Sequence, residues 1–87
     1  MKIIFTKNFK KSLLKLEKSI QIRIIEKIDI INKSNDSIYE LNLDIKKLQP
    51  KEKWFYRLRV WKYRILFSYV NDFIKLLEVD NRDSIYL

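Results

Sequence analysis

The sequence predicts an α+β fold in which a short strand and two helices precede three further strands. Two patterns support this order. Apolar residues recur at helical spacing in the first third of the chain, whereas from Phe55 onwards apolar and basic residues alternate with the period of two expected for strands. The 87 residues suffice for one small core and are too few for a second, so residues 1–87 are expected to form a single domain.

The N-terminal part predicts a strand followed by a helical hairpin. The run KIIF at residues 2–5 is a short β-like segment, and Thr6 is a suitable N-cap for a helix that begins near Lys7. A second helix follows, and the joint between the two is expected near Lys18 and Ser19.

The second helix has more apolar side chains than one buried face requires. Its buried stripe, of period near 3.6, is expected to consist of Ile20, Ile24, Ile28 and Ile31. Ile22 and Ile30 point away from this stripe. Either they are scattered exposed residues, which are common on protein surfaces, or they contact a partner.

The C-terminal half predicts three strands after a connecting loop. Residues 33–53 lack clear periodicity and contain the single proline, so they are expected to be this loop. If Trp61 and Lys62 form a two-residue turn, the strand pairs on one face are Val60–Tyr63, Leu58–Ile65 and Tyr56–Phe67. The third strand, in FIKLLEVDNR, follows the turn signal Asn71-Asp72.

Positive charge is concentrated on the predicted hairpin. The chain has 19 basic and 11 acidic residues, a formal net charge of +8, and no acidic residue lies between Glu52 and Asp72. The predicted register places Arg59 opposite Arg64, with Arg57 beside them, and like charges at such positions destabilise a hairpin. An anion from a partner would relieve this repulsion. A phosphate-binding face is therefore favoured over a basic face that serves only solubility.

Missing residue types exclude several kinds of active site. Without Cys or His the chain has no thiolate zinc site, no disulfide and no histidine base, and without Gly it has no glycine-rich phosphate loop. No metal or cofactor is therefore expected. The N-terminal apolar run is too short for a signal sequence or a membrane span, so a cytoplasmic protein is expected.

Two segments of the sequence together resemble a known family. YRLRVWKYRILF at residues 56–67 and LLEVDNRDSIY at residues 76–86 are similar to the RelE/ParE toxin superfamily of toxin–antitoxin systems, with its YRLRVG-x-YRILF hairpin and V-x-H/N-R-x-x-I/V-Y ending. The resemblance covers nearly the whole chain and includes the KKL element at residues 46–48. It implies a helical hairpin packed on one face of a mostly antiparallel sheet of about four strands, in the order β-α-α-β-β-β.

The resemblance also implies an activity. RelE-like members cleave messenger RNA in the ribosomal decoding site, whereas ParE-like members inhibit DNA gyrase. The residues that carry RNA cleavage in the family match Arg57, Arg59, Arg64, Arg82 and Tyr86. Because ParE-like proteins tend to lack the full set, an endoribonuclease is favoured over a gyrase inhibitor or an inactive toxin-like binding protein. The implied partners are the ribosome, messenger RNA and an antitoxin protein in a hetero-oligomer, with Ile22 and Ile30 as candidate antitoxin contacts.

Arginines can support RNA cleavage without a metal ion. RNA supplies its own nucleophile, the 2′-hydroxyl, so an enzyme need only align it with the phosphorus and stabilise the charge that develops on the phosphate. Arg64 and Arg82 are expected to hold the scissile phosphate, and Arg57 or Arg59 to hold the backbone or assist proton transfer. Tyr86 would stack on a base or orient the 2′-hydroxyl.

The sequence specifies the general base, and the RNA contacts away from the arginines, less closely than it specifies the phosphate-binding residues. Proton removal would rely on positioning by the ribosome, or on Asp80 or Asp83. Further RNA contacts are expected from Lys46, Lys47, Lys62 and Trp61.

Two residues depart from the family pattern. Trp61 occupies the usual glycine position of the turn, where positive φ is unfavourable for a residue with a Cβ. The turn would then be longer or bulged, or Trp61 would offer a platform for a base, although packing over its own hairpin is favoured. Asn81 replaces the His that often precedes the last Arg.

Overall fold

The computed structural model describes residues 2–34, 41–48 and 55–81, which form five strands and two helices. The elements are β1 (Lys2–Phe5), α1 (Lys7–Leu14), α2 (Lys18–Lys33), β2 (Ile45–Lys47), β3 (Phe55–Val60), β4 (Tyr63–Val70) and β5 (Phe73–Asn81). The strands form one sheet in the order β1-β5-β4-β3-β2, in which β1 and β5 are parallel and the other neighbours antiparallel. The α+β class and the mostly antiparallel sheet are therefore confirmed.

The sheet has five strands rather than about four, because a strand lies within the predicted connecting loop. The short strand β2 pairs with β3, with Ile45 opposite Leu58. Backbone hydrogen bonds extend this pairing at both ends, from Arg59 N to Asp44 O and from Leu48 N to Phe55 O. A strand of three residues is too short to show a periodic pattern in the sequence.

The helical hairpin forms as predicted, with one shift of boundary. Thr6 caps α1, since its hydroxyl accepts a hydrogen bond from Phe9 N at 3.1 Å. The joint comprises residues 15–17, slightly before the predicted position, because Glu17 adopts an extended backbone conformation and becomes the N-cap of α2. None of the described helices combines the length and the apolar composition that crossing a membrane requires.

The core lies between the helices and one face of the sheet. The predicted stripe of α2 is confirmed, since its four isoleucines are buried. They pack in one cluster with Phe9 of α1 and with the apolar residues of the three central strands. The strand residues in this cluster are Tyr56, Leu58, Val60, Ile65, Phe67, Ile74, Leu76 and Val79.

The predicted register of the β3–β4 hairpin is confirmed. Val60 pairs with Tyr63 and Arg59 with Arg64, so Trp61 and Lys62 form a two-residue turn. Trp61 adopts φ 58°, a left-handed conformation that favours glycine. The longer turn considered as an alternative is therefore not formed.

A β-bulge at Leu77 changes the alternation in β5. Leu66 pairs with Glu78 but the next residue, Phe67, pairs with Leu76, so Leu77 is an extra residue in β5. A bulge of one residue exchanges the two faces for the rest of the strand. As a result Val79 joins the core, and Asp80 lies opposite Arg64 on the other face.

Candidate functional site on the open face of the sheet

The sheet face opposite the helices, here called the open face, presents the predicted arginines. Residues that alternate with the buried core positions lie on this face. They include Arg57 and Arg59 of β3 and Arg64 of β4, together called the arginine cluster. Because the strand pairing places Arg59 directly opposite Arg64, the structure brings the three arginines together as the sequence predicts.

Asp44 holds two members of the arginine cluster. Arg57 Nη1 donates to Asp44 Oδ1 at 3.1 Å and to the Asp44 carbonyl oxygen at 3.2 Å. Arg59 Nε lies 3.7 Å from Asp44 Oδ2. The side chain of Arg57 is only 13% exposed and that of Arg59 32% exposed, so Arg57 is the more firmly fixed of the two.

Asp80 holds the third arginine from the other side. Arg64 Nε donates to Asp80 Oδ1 at 3.5 Å, and the side chain of Arg64 is 20% exposed. Both acids are distant from the arginines in the sequence. The sequence has no acidic residue close to these arginines, but the sheet brings Asp44 and Asp80 beside them and so relieves part of their repulsion.

The ion pairs leave much of the donor capacity of the arginines unused. A guanidinium has five N–H donors in a planar fork. Arg59 and Arg64 contact their carboxylates through Nε, so the described contacts leave their terminal Nη groups available. Two forks fixed in this way can bind the oxygens of one phosphate without first losing side-chain freedom.

The lysines and the tryptophan predicted to contact RNA occupy different surfaces. Lys46 pairs with Arg57 and so lies on the open face, whereas Lys47 pairs with Tyr56 and lies on the helix side. Lys62 and Trp61 form the tip of the β3–β4 hairpin, with Lys62 Nζ 5.1 Å from the centre of the indole. Of these four residues, Lys46 therefore adjoins the arginine cluster on the open face, whereas Lys47 lies on the helix side and Trp61 and Lys62 at the hairpin tip.

Part of the predicted site lies outside the described residues. Arg82, Asp83 and Tyr86 follow β5 directly in the sequence but are not described, so their roles remain predictions. Among the described residues, no group of three or more potential metal ligands occurs.

The two predicted antitoxin contacts are exposed but do not share a groove. Ile22 lies beside Ile25 in a shallow groove on α2, whereas Ile30 does not line it. At about 100° per residue, Ile30 lies roughly 80° around the helix from Ile22. Ile25, which the sequence pattern did not single out, is also exposed and extends the apolar surface of α2.

Asp44 was not anticipated as a site residue. It precedes the short strand β2, which has no periodic signal. The orientation of Asp80 had no clear signal in the sequence, which does not distinguish Leu76 from Leu77; only in the structure are the buried residues Ile74, Leu76 and Val79 seen to be spaced by two and then by three. That irregular spacing marks a bulge and places Asp80 on the arginine side.

Comparison with known proteins identifies relatives over almost the full chain, although no family model matches the sequence. The chain is 40% identical over 86 residues to Toxin RelE3 of Methanocaldococcus jannaschii, covering 99% of this chain and 96% of the relative.

Solved structures agree with this relationship. A RelB–RelE antitoxin–toxin complex from Methanococcus jannaschii contains a chain that matches with a TM-score of 0.80 and 36% identity, covering 95% of this chain and 94% of the other. A RelE–RelB complex from Pyrococcus horikoshii OT3 gives a TM-score of 0.73 at 26% identity, with 93% of each chain covered. Given this fold and 40% identity over nearly its whole length to a RelE toxin, the chain belongs to the RelE toxin family.

Proposed function

We propose that this RelE-family protein is an endoribonuclease that cleaves messenger RNA on the ribosome and thereby arrests translation. The observation that carries this proposal is the pairing of Arg59 and Arg64 directly opposite each other on the open face. Each of them is held through Nε by a carboxylate, which leaves its terminal donors for a ligand. Two adjacent cationic forks, on a sheet face that the described helices do not cover, suit a phosphodiester better than an uncharged ligand.

The proposed reaction is attack of the 2′-hydroxyl on the adjacent phosphorus. The O–P bond to the 2′-oxygen forms, the bond to the 5′-oxygen of the next nucleotide breaks, and the products are a 2′,3′-cyclic phosphate and a 5′-hydroxyl end. The proton of the 2′-hydroxyl leaves and the departing oxygen gains one. The role of the protein is to align these atoms and to stabilise the additional negative charge on the phosphate oxygens.

The geometry favours different roles for the three described arginines. The described contacts of Arg64 and Arg59 do not use their terminal donors, so these two arginines are assigned to the scissile phosphate. Arg57 is nearly buried and bonded twice to Asp44, so it is assigned to positioning Asp44 and, through it, Arg59. Arg82 and Tyr86 are proposed to complete the site from the segment after β5.

Asp80 has two uses in this proposed site. It orients Arg64 through their ion pair, and it is a carboxylate on the same face as the proposed phosphate position. Asp80 is therefore the described residue we propose as proton acceptor, with positioning of the RNA left to the ribosome. Action on ribosomes implies a cytoplasmic location.

An antitoxin partner is proposed from the relatives. The complexes from Methanococcus jannaschii and Pyrococcus horikoshii pair RelE with RelB. In this chain the exposed isoleucines of α2 are apolar surface that a partner segment would cover, so we propose a toxin–antitoxin hetero-oligomer with Ile22 and Ile30 among the contacts.

Induced expression without an antitoxin tests the proposed function. Incorporation of labelled amino acids is expected to stop before incorporation of labelled thymidine, and messenger RNA is expected to acquire new ends within coding sequences. Early arrest of DNA replication with intact messenger RNA would instead indicate inhibition of gyrase. Continued growth with both syntheses intact would contradict any toxin activity.

A further inference from the structure

A cleft separates α2 from the tip of the β3–β4 hairpin. It has a volume of about 510 Å³ and is walled by α2, by the segment before β2 and by the hairpin tip. Its lining side chains include Arg23, Lys27, Asn42, Arg59 and Trp61. This volume lies within the range of sites that bind small ligands.

Trp61 is both strained and exposed at the mouth of this cleft. Its φ of 58° places a bulky residue in the left-handed region, which costs roughly 1–2 kcal/mol relative to the right-handed region. The side chain is 61% exposed, so burial of the indole does not offset this cost. Backbone strain retained at an exposed aromatic residue is typical of a functional position.

The packing of Trp61 leaves aromatic surface available. The indole contacts Tyr63 edge-on, with ring centres 6.1 Å apart, and Lys62 Nζ lies 5.1 Å from its centre. These contacts to its own hairpin orient the ring but do not bury it. The ring is therefore held as a preformed surface rather than as part of the core.

The opposite wall of the cleft supplies positive charge. Arg23 and Lys27 are one helical turn apart on α2, and neither forms an ion pair with any described residue. Glu26 and Asp44 also line the cleft, but Asp44 is bound by Arg57 and Arg59. Like charges at i and i+4 destabilise a helix slightly, so an anion between Arg23 and Lys27 would reduce their repulsion. With Glu26 included, this wall of the cleft keeps a net positive charge.

We propose that this cleft binds one nucleotide of a single-stranded RNA, with the base stacked on Trp61 and a phosphate bound by Arg23 and Lys27. Asn42 has an amide that can hydrogen-bond to a base edge. The combination of an exposed aromatic ring with adjacent basic groups is the general solution for single-stranded nucleic acid, whereas an acidic peptide would use the charges but not the ring.

Arg59 connects the cleft to the arginine cluster. It belongs to the cluster through its pairing with Arg64, and it also lines the cleft. A strand that places its scissile phosphate on the open face can therefore extend around Arg59 and place a neighbouring nucleotide in the cleft. The proposal rests on the RNA-directed function above and adds a second binding position outside the reacting groups.

The test is the affinity of the purified protein for a short single-stranded oligoribonucleotide, measured by fluorescence anisotropy at several salt concentrations. Trp61→Gly is expected to weaken binding about ten-fold or more, whereas Trp61→Phe, which keeps an aromatic ring, stays within about three-fold of the parent. Trp61→Gly should melt at or above the temperature of the parent, since it relieves the left-handed strain.

The charged wall is tested with a matched pair of double variants. Arg23→Gln with Lys27→Gln is expected to weaken binding and to reduce the slope of log affinity against log salt by about 0.7 for each phosphate that is no longer neutralised. Lys7→Gln with Lys11→Gln removes the same charge at the same spacing from α1. This control should weaken binding clearly less, because it lies outside the cleft.

Two results would overturn the proposal. One is Trp61→Gly binding RNA like the parent, and the other is an equal weakening of binding in the two double variants. If the parent arrests translation in either case, the proposed function stands and only the cleft assignment fails. If the parent neither binds RNA nor arrests translation, both fail together.

Discussion

At the scale of single residues, the proposed site pairs Arg59 and Arg64 each with an acidic side chain. Asp44 and Asp80 fix Arg59 and Arg64 through Nε, which turns two mutually repelling side chains into an oriented pair. A phosphate bound between them, as proposed, would lower the remaining repulsion further. The same ion pairs that stabilise the free protein therefore prepare it for an anionic ligand.

Arg64→Ala is expected to lose at least about 3 kcal/mol of transition-state stabilisation, similar to the loss of one oxyanion donor. Arg64→Lys keeps the charge but loses the fork and should recover only part of the activity. Stability should change little, because removal of the pair with Asp80 is offset by relief of the repulsion with Arg59. Cleavage on programmed ribosomes, with melting curves of each variant, checks both parts.

Lys75→Ala is the matched control, since Lys75 is also on the open face but pairs with Ser68, away from the arginine cluster. The Lys75→Ala variant should cleave messenger RNA on programmed ribosomes at the rate of the parent. Comparable cleavage by Arg64→Ala and the parent would contradict the assignment of Arg64 to the phosphate.

Arg82→Ala is expected to lose a similar amount of transition-state stabilisation, at least about 3 kcal/mol, because Arg82 is proposed to share that role.

The positions of the arginines could be predicted from sequence, but their partners could not. Alternation in β3 and β4 is enough to place Arg59 opposite Arg64, because the period of a strand is two. Asp44 and Asp80 are 13 and 16 residues from Arg57 and Arg64, the arginines that they bind through hydrogen bonds. Such pairs form only through strand order and the bulge, which local patterns do not specify.

At the scale of elements, α1 is joined to the bulged part of β5 by three polar side chains. The Thr6 hydroxyl donates to Leu76 O at 2.6 Å, and Asn8 Nδ2 donates to Leu77 O at 3.1 Å. Ser12 Oγ accepts from Val79 N at 3.0 Å. A bulge interrupts the ladder of hydrogen bonds between strands, and these side chains satisfy backbone groups at that interruption.

Ser12→Ala is expected to destabilise the fold by about 1–3 kcal/mol, because it leaves the Val79 N–H without its acceptor. For a domain of this size, each kcal/mol lowers the melting temperature by about 4–8 °C. Ser19→Ala, at an exposed position of α2, should change stability by no more than about 0.5 kcal/mol.

The Ser12 variant also tests the link between α1 and the site. The bulge determines that Asp80 points to the arginine side, so a weakened bulge should lower cleavage as well as stability. Equal melting temperatures for Ser12→Ala and Ser19→Ala would show that the hydroxyl of Ser12 does not support the bulge.

Elements long enough to show a clear periodic pattern were predicted correctly, whereas the shortest strand, β2, was not. The isoleucine stripe of α2 and the β3–β4 hairpin have enough residues to show a period, and both occur where the sequence places them. The strand β2 has three residues and takes its conformation from pairing with β3. The joint of the helices lies earlier than predicted because capping at Glu17 depends on backbone geometry rather than on a side-chain signal.

At the scale of the whole molecule, the fold separates stability from function. The core lies on the helix side of the sheet, and the arginine cluster lies on the open face, so its charges stay out of the apolar core. Each central strand nevertheless contributes residues to both the core and the open face. On β3, Leu58 lies in the core and its neighbour Arg59 lies on the open face. Substitutions of the arginines should therefore affect activity far more than folding.

This arrangement predicts that RNA binding is general but that efficient cleavage requires the ribosome. A net charge of +8 and a basic face attract the phosphate backbone of any RNA, with an affinity that falls steeply as salt rises. The described residues are proposed to bind phosphate but form no closed pocket around the open-face arginines that would align a flexible RNA for in-line attack. The ribosome would hold the 2′-hydroxyl in line with the phosphorus, and this alignment is expected to accelerate cleavage strongly.

The same arrangement predicts that cleavage needs no divalent ion. The carboxylates of the site, Asp44 and Asp80, are engaged by arginines, and such neighbours oppose binding of a cation. Cleavage of messenger RNA on programmed ribosomes should continue when EDTA is added. The ribosome complexes are first formed in a buffer in which polyamines keep the ribosome intact. A parallel reaction with naked messenger RNA should show binding at low salt and only slow cutting. Fast cutting of naked RNA that EDTA abolishes would contradict both the metal-free mechanism and the need for the ribosome.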